Sequence, residues 1–124
     1  RETPTWVFTS RKPSQIAEEI LQEKGCKVFR VDESDDRLDL QQILKVLAEQ
    51  GITRLMVEGG PILAASFVES DLVDDAILLH GVKSVGAGGI DPLEGMPLTA
   101  LTGRLTSLGS EKLDVDTIET FVRV

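Results

Sequence analysis

The stretch Arg54-Leu55-Met56-Val57-Glu58-Gly59-Gly60-Pro61-Ile62-Leu63-Ala64-Ala65-Ser66-Phe67-Val68 decides the fold. Its first five residues read as a strand and the two glycines as a turn. Pro61 suits the first position of an almost wholly apolar helix, where its missing N–H loses no hydrogen bond. The same grammar occurs twice upstream. Trp6-Val7-Phe8 is a strand-like run, followed by the turn Thr9 to Pro13 and by Ile16, Ala17, Ile20 and Leu21 at helical spacing, with Gly25 as a stop. Cys26 to Val31 reads as a buried strand, Asp39-x-x-Gln42 as a capping box, and Leu40, Ile43, Leu44 and Leu47 as an apolar stripe that ends at Gly51. The spacing predicts helices at about 13–24, 39–50 and 61–69, and parallel strands near Val7, Val28 and Met56.

Downstream the pattern changes. Ala76 to His80 reads as a strand, Gly81 to Gly95 as a Gly-rich stretch without helical period, and Leu105 to Leu108 with Thr117 to Val124 as a closing antiparallel pair around the polar Gly109 to Asp116. The expected architecture is α/β, three-layer αβα, with a mixed sheet. The acidic run Asp32 to Asp39 reads as a solvated loop.

At 124 residues the chain is one domain or part of one. Apolar residues at 41% and a mean hydropathy of +0.02 place it among folded chains rather than disordered ones. Its net charge of −8 disfavours unspecific binding to nucleic acid or an anionic membrane. No apolar run approaches the ~18 residues of a membrane span. No basic-then-apolar leader opens the chain, and the lone Cys26 and lone His80 exclude an internal disulfide and a Cys/His zinc set, so a cytoplasmic protein without metal is expected.

In open α/β sheets, ligands bind outside the carboxyl ends of the strands. Two such ends carry chemistry. At Glu58-Gly59-Gly60-Pro61 the glycines let backbone approach a ligand, and the helix that follows offers free N–H groups to a phosphate; the same residues also suit a plain tight turn. Glu58 would accept from paired N–H donors of a substrate, or serve as a salt bridge or a helix cap. At Thr9-Ser10-Arg11-Lys12, two hydroxyls and two cations could hold a phosphate monoester, or form an ordinary surface turn. His80 and Cys26 read as structural residues, and Gly86-x-Gly88-Gly89 as a loop approaching a ligand.

Val57-Glu58-Gly59-Gly60-Pro61-Ile62-Leu63-Ala64, continuing through Phe67-Val68-Glu69 to Leu72-Val73-Asp74-Asp75, resembles the C-terminal reductase domain of the bacterial bifunctional riboflavin biosynthesis deaminase/reductase. More distantly the chain is similar to dihydrofolate reductase. The resemblance implies a dihydrofolate-reductase-like fold in which residues 1–124 form the C-terminal part of one pyrimidine reductase domain, without the family's N-terminal part. It implies NADPH-dependent reduction of 5-amino-6-(5-phosphoribosylamino)uracil, a small pyrimidine ribosylamine phosphate, to the ribitylamino product. Glu58 would then contact the substrate. Gly59, Gly60, Pro61, Ile62, Leu63, Ala64, Ala65 and Ser66 would line the NADPH site, with Ser10 near the adenosine phosphate and Arg11 added on grounds of charge. A dimer is expected, because strand edges left open favour pairing. The alternatives are a dihydrofolate-type reductase and a nucleotide-binding or assembly module without activity.

Overall fold

A computed structural model describes residues 3–124, and the chain divides into two units, Arg1–Leu55 and Met56–Val124. In the first unit, strand β1 (Trp6–Thr9), helix α1 (Gln15–Glu23) and strand β2 (Lys27–Arg30) follow in order. The strands pair in parallel, with Trp6 opposite Lys27 and Thr9 opposite Arg30. Alternate residues share a face, so Trp6, Phe8 and Phe29 meet: Phe8 stacks on Phe29 at 5.1 Å between centroids, and Trp6 meets Phe29 edge-on at 5.5 Å. Lys27 lies over the Trp6 and Phe29 rings. The acidic run is exposed, as expected, but it is not an irregular loop. It folds into a small hairpin of β3 (Glu33–Ser34) and β4 (Arg37–Leu38), whose central residues Asp35 and Asp36 take φ of 51° and 58°. Two left-handed residues in a two-residue loop match the twist of the flanking strands, and Asp tolerates that conformation. Helix α2 (Leu40–Glu49) then buries Leu47.

The predicted helix ends hold because they are chemical. Ser14 caps α1, its hydroxyl accepting from Ala17 N, and the Asp39 carboxylate caps α2 by accepting from Gln42 N at 3.1 Å. At the other ends, Gly25 and Gly51 sit at φ of 82° and 86°. Each supplies the left-handed residue of a Schellman motif, closed by Cys26 N donating to the Leu21 carbonyl and by Ile52 N donating to that of Leu47.

The third strand does not form. Residues 52–60 carry neither helix nor strand, and Met56 is 79% exposed. A strand exists only where a neighbour takes its backbone groups; no ladder reaches this segment among the described residues, and the boundary between the units falls within it. The parallel and antiparallel pairings therefore lie in separate sheets.

In the second unit, α3 (Pro61–Glu69) buries Ala65, Phe67 and Val68. Strand β5 (Asp75–His80), the short helix α4 (Thr99–Thr102), β6 (Thr106–Leu113) and β7 (Asp116–Val122) complete the chain. The sheet is antiparallel with β7 central, in the order β5-β7-β6. Strand β6 runs through the segment read as a polar connection, with a bulge between Ser107 and Gly109 where Gly109 takes φ of 108°.

Helix α3 also ends in a Schellman motif, but with Asp71 at φ of 54° where a glycine is usual. Its carboxylate explains the choice. Arg123 Nη2 donates to Asp71 Oδ1 at 2.7 Å and Nη1 to Oδ2 at 3.4 Å, while Arg123 Nε and Nη2 donate to the Val73 carbonyl at 3.1 and 2.7 Å. Arg104 Nη1 adds a bond of 2.7 Å to the Val68 carbonyl. The end of β7 is thus clamped to the turn between α3 and β5. The hydrogen bond from Arg123, aided by the charges of Arg123 and Arg104 and opposed by desolvation, holds the Asp71 carboxyl below the ordinary carboxylate range. A carboxyl lowered in the folded state stabilises at neutral pH and loses that contribution as pH falls through the unfolded value towards the folded one. Arg123→Ala is therefore expected to lower the urea midpoint at neutral pH and to flatten the acid side of the stability profile; an unchanged midpoint with an unchanged acid slope excludes the clamp.

Candidate functional site

Parallel pairing places the exits of β1 and β2 at the same end of their sheet, and Val31 N donating to the Thr9 carbonyl at 2.9 Å extends the ladder to that point. Ser10 is buried there, its hydroxyl accepting from Lys12 N. Arg30, at the end of β2, shapes the loop: Nη1 donates to the carbonyls of Arg11 at 3.1 Å and Pro13 at 2.9 Å, while Nε pairs with Glu18 at 2.7 Å. Both cations singled out in the sequence have carboxylate partners. Arg11 Nε lies 2.6 Å from Asp32 Oδ1, and Lys12 Nζ lies 2.5 Å from Glu33 Oε2. Gln42 completes this cluster, its Nε2 donating to Asp32 Oδ2 at 2.7 Å and its Oε1 accepting from Asp32 N at 2.8 Å. The expected capping box is therefore half formed. Asp39 caps the helix, but Gln42 turns to Asp32. The hydrogen bonds from Arg11 and then Gln42 hold the Asp32 carboxyl below its usual range, so it is ionised at neutral pH.

The second cluster belongs to the other unit. Gly59 takes φ of 98°, a left-handed turn that an L side chain resists, whereas a Cβ at Gly60 would meet nothing within 4 Å. Gly60 is the N-cap of α3, and no side chain caps that end. Glu58 is exposed and takes part in no hydrogen bond or ion pair among the described residues, so it is neither the salt bridge nor the cap that were its alternatives. The helix start therefore presents the free N–H groups of Ile62 and Leu63 to an anion, with a carboxylate two residues before the cap. Of the remaining residues expected there, Ala64 is half-buried, Ala65 faces the interior at 3% exposure, and the Ser66 hydroxyl donates to the Ile62 carbonyl at 2.9 Å. Ser10 and Arg11 form one group and Glu58 to Ser66 another, each within its own unit.

Three secondary candidates resolve into structure. His80 Nε2 lies 2.9 Å from Glu119 Oε2 across β5 and β7. Gly89 closes a turn, Gly89 N donating to the Gly86 carbonyl at 3.1 Å, and a Cβ there would meet Val85 Cγ1 at 2.9 Å. Packing, rather than a ligand, accounts for that glycine. Cys26 is half-buried and free. No described helix is long and apolar enough to cross a membrane. Sequence reasoning missed Asp32, Gln42 and Arg30; the available signal was an acid two residues past the end of β2.

The riboflavin biosynthesis protein RibD of Bacillus amyloliquefaciens is 29% identical over 117 residues, covering 87% of this chain and 31% of the relative. The 2,5-diamino-6-ribosylamino-4(3H)-pyrimidinone 5′-phosphate reductase of Aquifex aeolicus is 33% identical over 95 residues, covering 77% of this chain and 42% of the relative. Among solved structures, Acinetobacter baumannii RibD matches with a TM-score of 0.72 at 19% identity, over 96% of this chain and 31% of that one. A pyrimidine reductase-like protein of Corynebacterium diphtheriae matches with a TM-score of 0.69 at 17% identity, over 96% of this chain and 50% of that one. These structures share the mixed α/β, dihydrofolate-reductase-like fold expected from the sequence. The chain spans about a third to a half of the length of these proteins. The sequence model of the RibD C-terminal domain matches residues 1–118, and the chain belongs to that family.

Proposed function

We propose that this chain is the C-terminal part of a reductase domain that reduces the ribosylamino group of 5-amino-6-(5-phosphoribosylamino)uracil to a ribitylamino group with NADPH. The observation that carries the reading is the uncapped start of α3 at an open Gly60, preceded by the free carboxylate of Glu58. The names of the relatives, a pyrimidinone 5′-phosphate reductase and RibD, support the substrate class.

The reaction adds hydride to C1′ of the ribosyl group, breaks the C1′–O4′ bond and leaves a proton on that oxygen. NADPH supplies the hydride when bound. The tasks left to this chain are binding and orientation, which account for much of the barrier in such transfers. The N–H groups of Ile62 and Leu63 would receive the pyrophosphate, aided by the helix dipole, while Ala64 and the exposed Ile62 and Leu63 side chains line its path. The buried Ala65 and the internally bonded Ser66 would support the helix from behind. Glu58 would accept from the N–H groups of the pyrimidine, fixing the ring so that C1′ faces the nicotinamide. Ser10 and Arg11, within their own unit, are the proposed contacts of the adenosine phosphate. A cytoplasmic dimer is the proposed working form, which sedimentation equilibrium tests.

Gly60→Asp separates folding from binding. The introduced carboxylate competes for the same N–H groups, and circular dichroism checks that the variant folds. Calorimetric titration is expected to show NADPH affinity weakened about tenfold or more; unchanged affinity in the folded variant removes the assignment. Glu58→Gln, tested in this chain extended by the amino-terminal segment its longer relatives carry, is expected to raise the Michaelis constant for the pyrimidine or lower turnover, with NADPH affinity unchanged. Following NADPH oxidation at 340 nm distinguishes this from a loss on the cofactor side, and the unextended chain is expected to give no measurable turnover.

A further inference from the structure

The loop after β1 carries two cations, and the chain leaving β2 answers each with a carboxylate. Arg11 meets Asp32 at 2.6 Å and Lys12 meets Glu33 at 2.5 Å, so two positive and two negative charges cancel at one end of a parallel strand pair. Asp32 is fixed on both oxygens, by Arg11 on one and Gln42 on the other, and its backbone N–H is taken by Gln42 as well. Beside an adenosine ribose an acid accepts from the hydroxyls, and an arginine takes the 2′-phosphate that distinguishes NADPH from NADH. This chain has both residues, bound to each other.

We propose that Asp32 is the specificity-determining residue at the adenosine end: by holding Arg11 it withholds the guanidinium from a 2′-phosphate, so the chain discriminates weakly between phosphorylated and unphosphorylated adenosine ribose. The inference rests on reading the Ser10 to Pro13 loop as the adenosine site. A 2′-phosphate brought to the loop gains little while Asp32 and Glu33 neutralise its cations, and it meets direct repulsion from Asp32. The ionised state of Asp32 at neutral pH keeps that repulsion in force. Gln42 prevents the carboxylate from swinging aside, because leaving Arg11 also breaks its bond to Nε2. Arg30, which ties the carbonyls of Arg11 and Pro13, keeps the loop backbone in place whichever anion Arg11 holds.

The test uses the 124-residue chain, with adenosine 2′,5′-bisphosphate and adenosine 5′-monophosphate as probes. Isothermal titration is expected to give wild-type affinities for the two within about threefold. Asp32→Asn keeps the shape and the bond from Gln42 but removes the charge, and is expected to raise the preference for the bisphosphate about tenfold or more, the range of one hydrogen bond to a charged group. Arg11→Ala in that background is expected to remove the gain, and Asp32→Ser to reproduce its direction. A wild-type preference above about tenfold, or an unchanged ratio in folded Asp32→Asn, overturns the role of Asp32 while leaving the loop as the adenosine site. A wild-type chain that binds neither probe overturns the loop assignment and the proposal together. The Arg11 Nε–H resonance of the unsubstituted chain gives a measurement independent of any variant. Held by Asp32, it is expected to respond alike to the bisphosphate and the monophosphate, and a shift produced by the bisphosphate alone overturns the proposal.

Discussion

Parallel pairing of β1 with β2 is the constraint on which the first unit depends. Two parallel strands cannot be joined by a tight turn, so the chain must cross back, and α1 is that crossover. Both strands then end at the same edge, where Ser10 and Arg11 from one exit face Val31 and Asp32 from the other. The pairing also decides which side chains share a face. Trp6 and Phe8 alternate on β1, Lys27 and Phe29 on β2, and the register sets Phe8 directly opposite Phe29. A slip of one residue would part the stack and carry Arg30 away from the carbonyls of Arg11 and Pro13.

The second unit is organised by its last strand. Because β7 lies between β5 and β6, a short C-terminal segment completes two ladders at once. The native sheet therefore exists only when the end of the chain is in place. Arg123 adds the turn after α3 to that dependence. The start of the same helix is left uncapped by any side chain. One end is over-determined and the other open, which suits a helix whose start meets a ligand.

Much of the fold was legible because helix ends are written in side-chain chemistry. Ser14, Asp39 and Pro61 mark starts, and Gly25 and Gly51 mark ends, each satisfying backbone groups through residues close in sequence. The strand expected at Met56 does not form because a short apolar run reports only the wish to be covered, whereas a strand is defined by a neighbour elsewhere in the chain. Strand β6 was missed in part for the converse reason. Ser110, Glu111 and Lys112 are polar and exposed, and their place in the sheet comes from β7 rather than from burial. At the site, the glycine turn and Glu58 were visible as a motif. The partner of Arg11 was not, since 21 residues separate it from Asp32 and only the parallel register joins them. Asp71 was hidden similarly: a left-handed aspartate is unremarkable until an arginine 52 residues later is seen to hold it.

Trp6 is the chain's single tryptophan, and its indole stands edge-on to Phe29 with the Lys27 ammonium 5.4 Å from its centre. Emission from this chain is therefore a local signal, sensitive to whether β1 and β2 hold their register. Far-ultraviolet circular dichroism, by contrast, sums over both units. The interval between the two melting curves measures how far one half of the molecule survives the loss of the other, with no label attached.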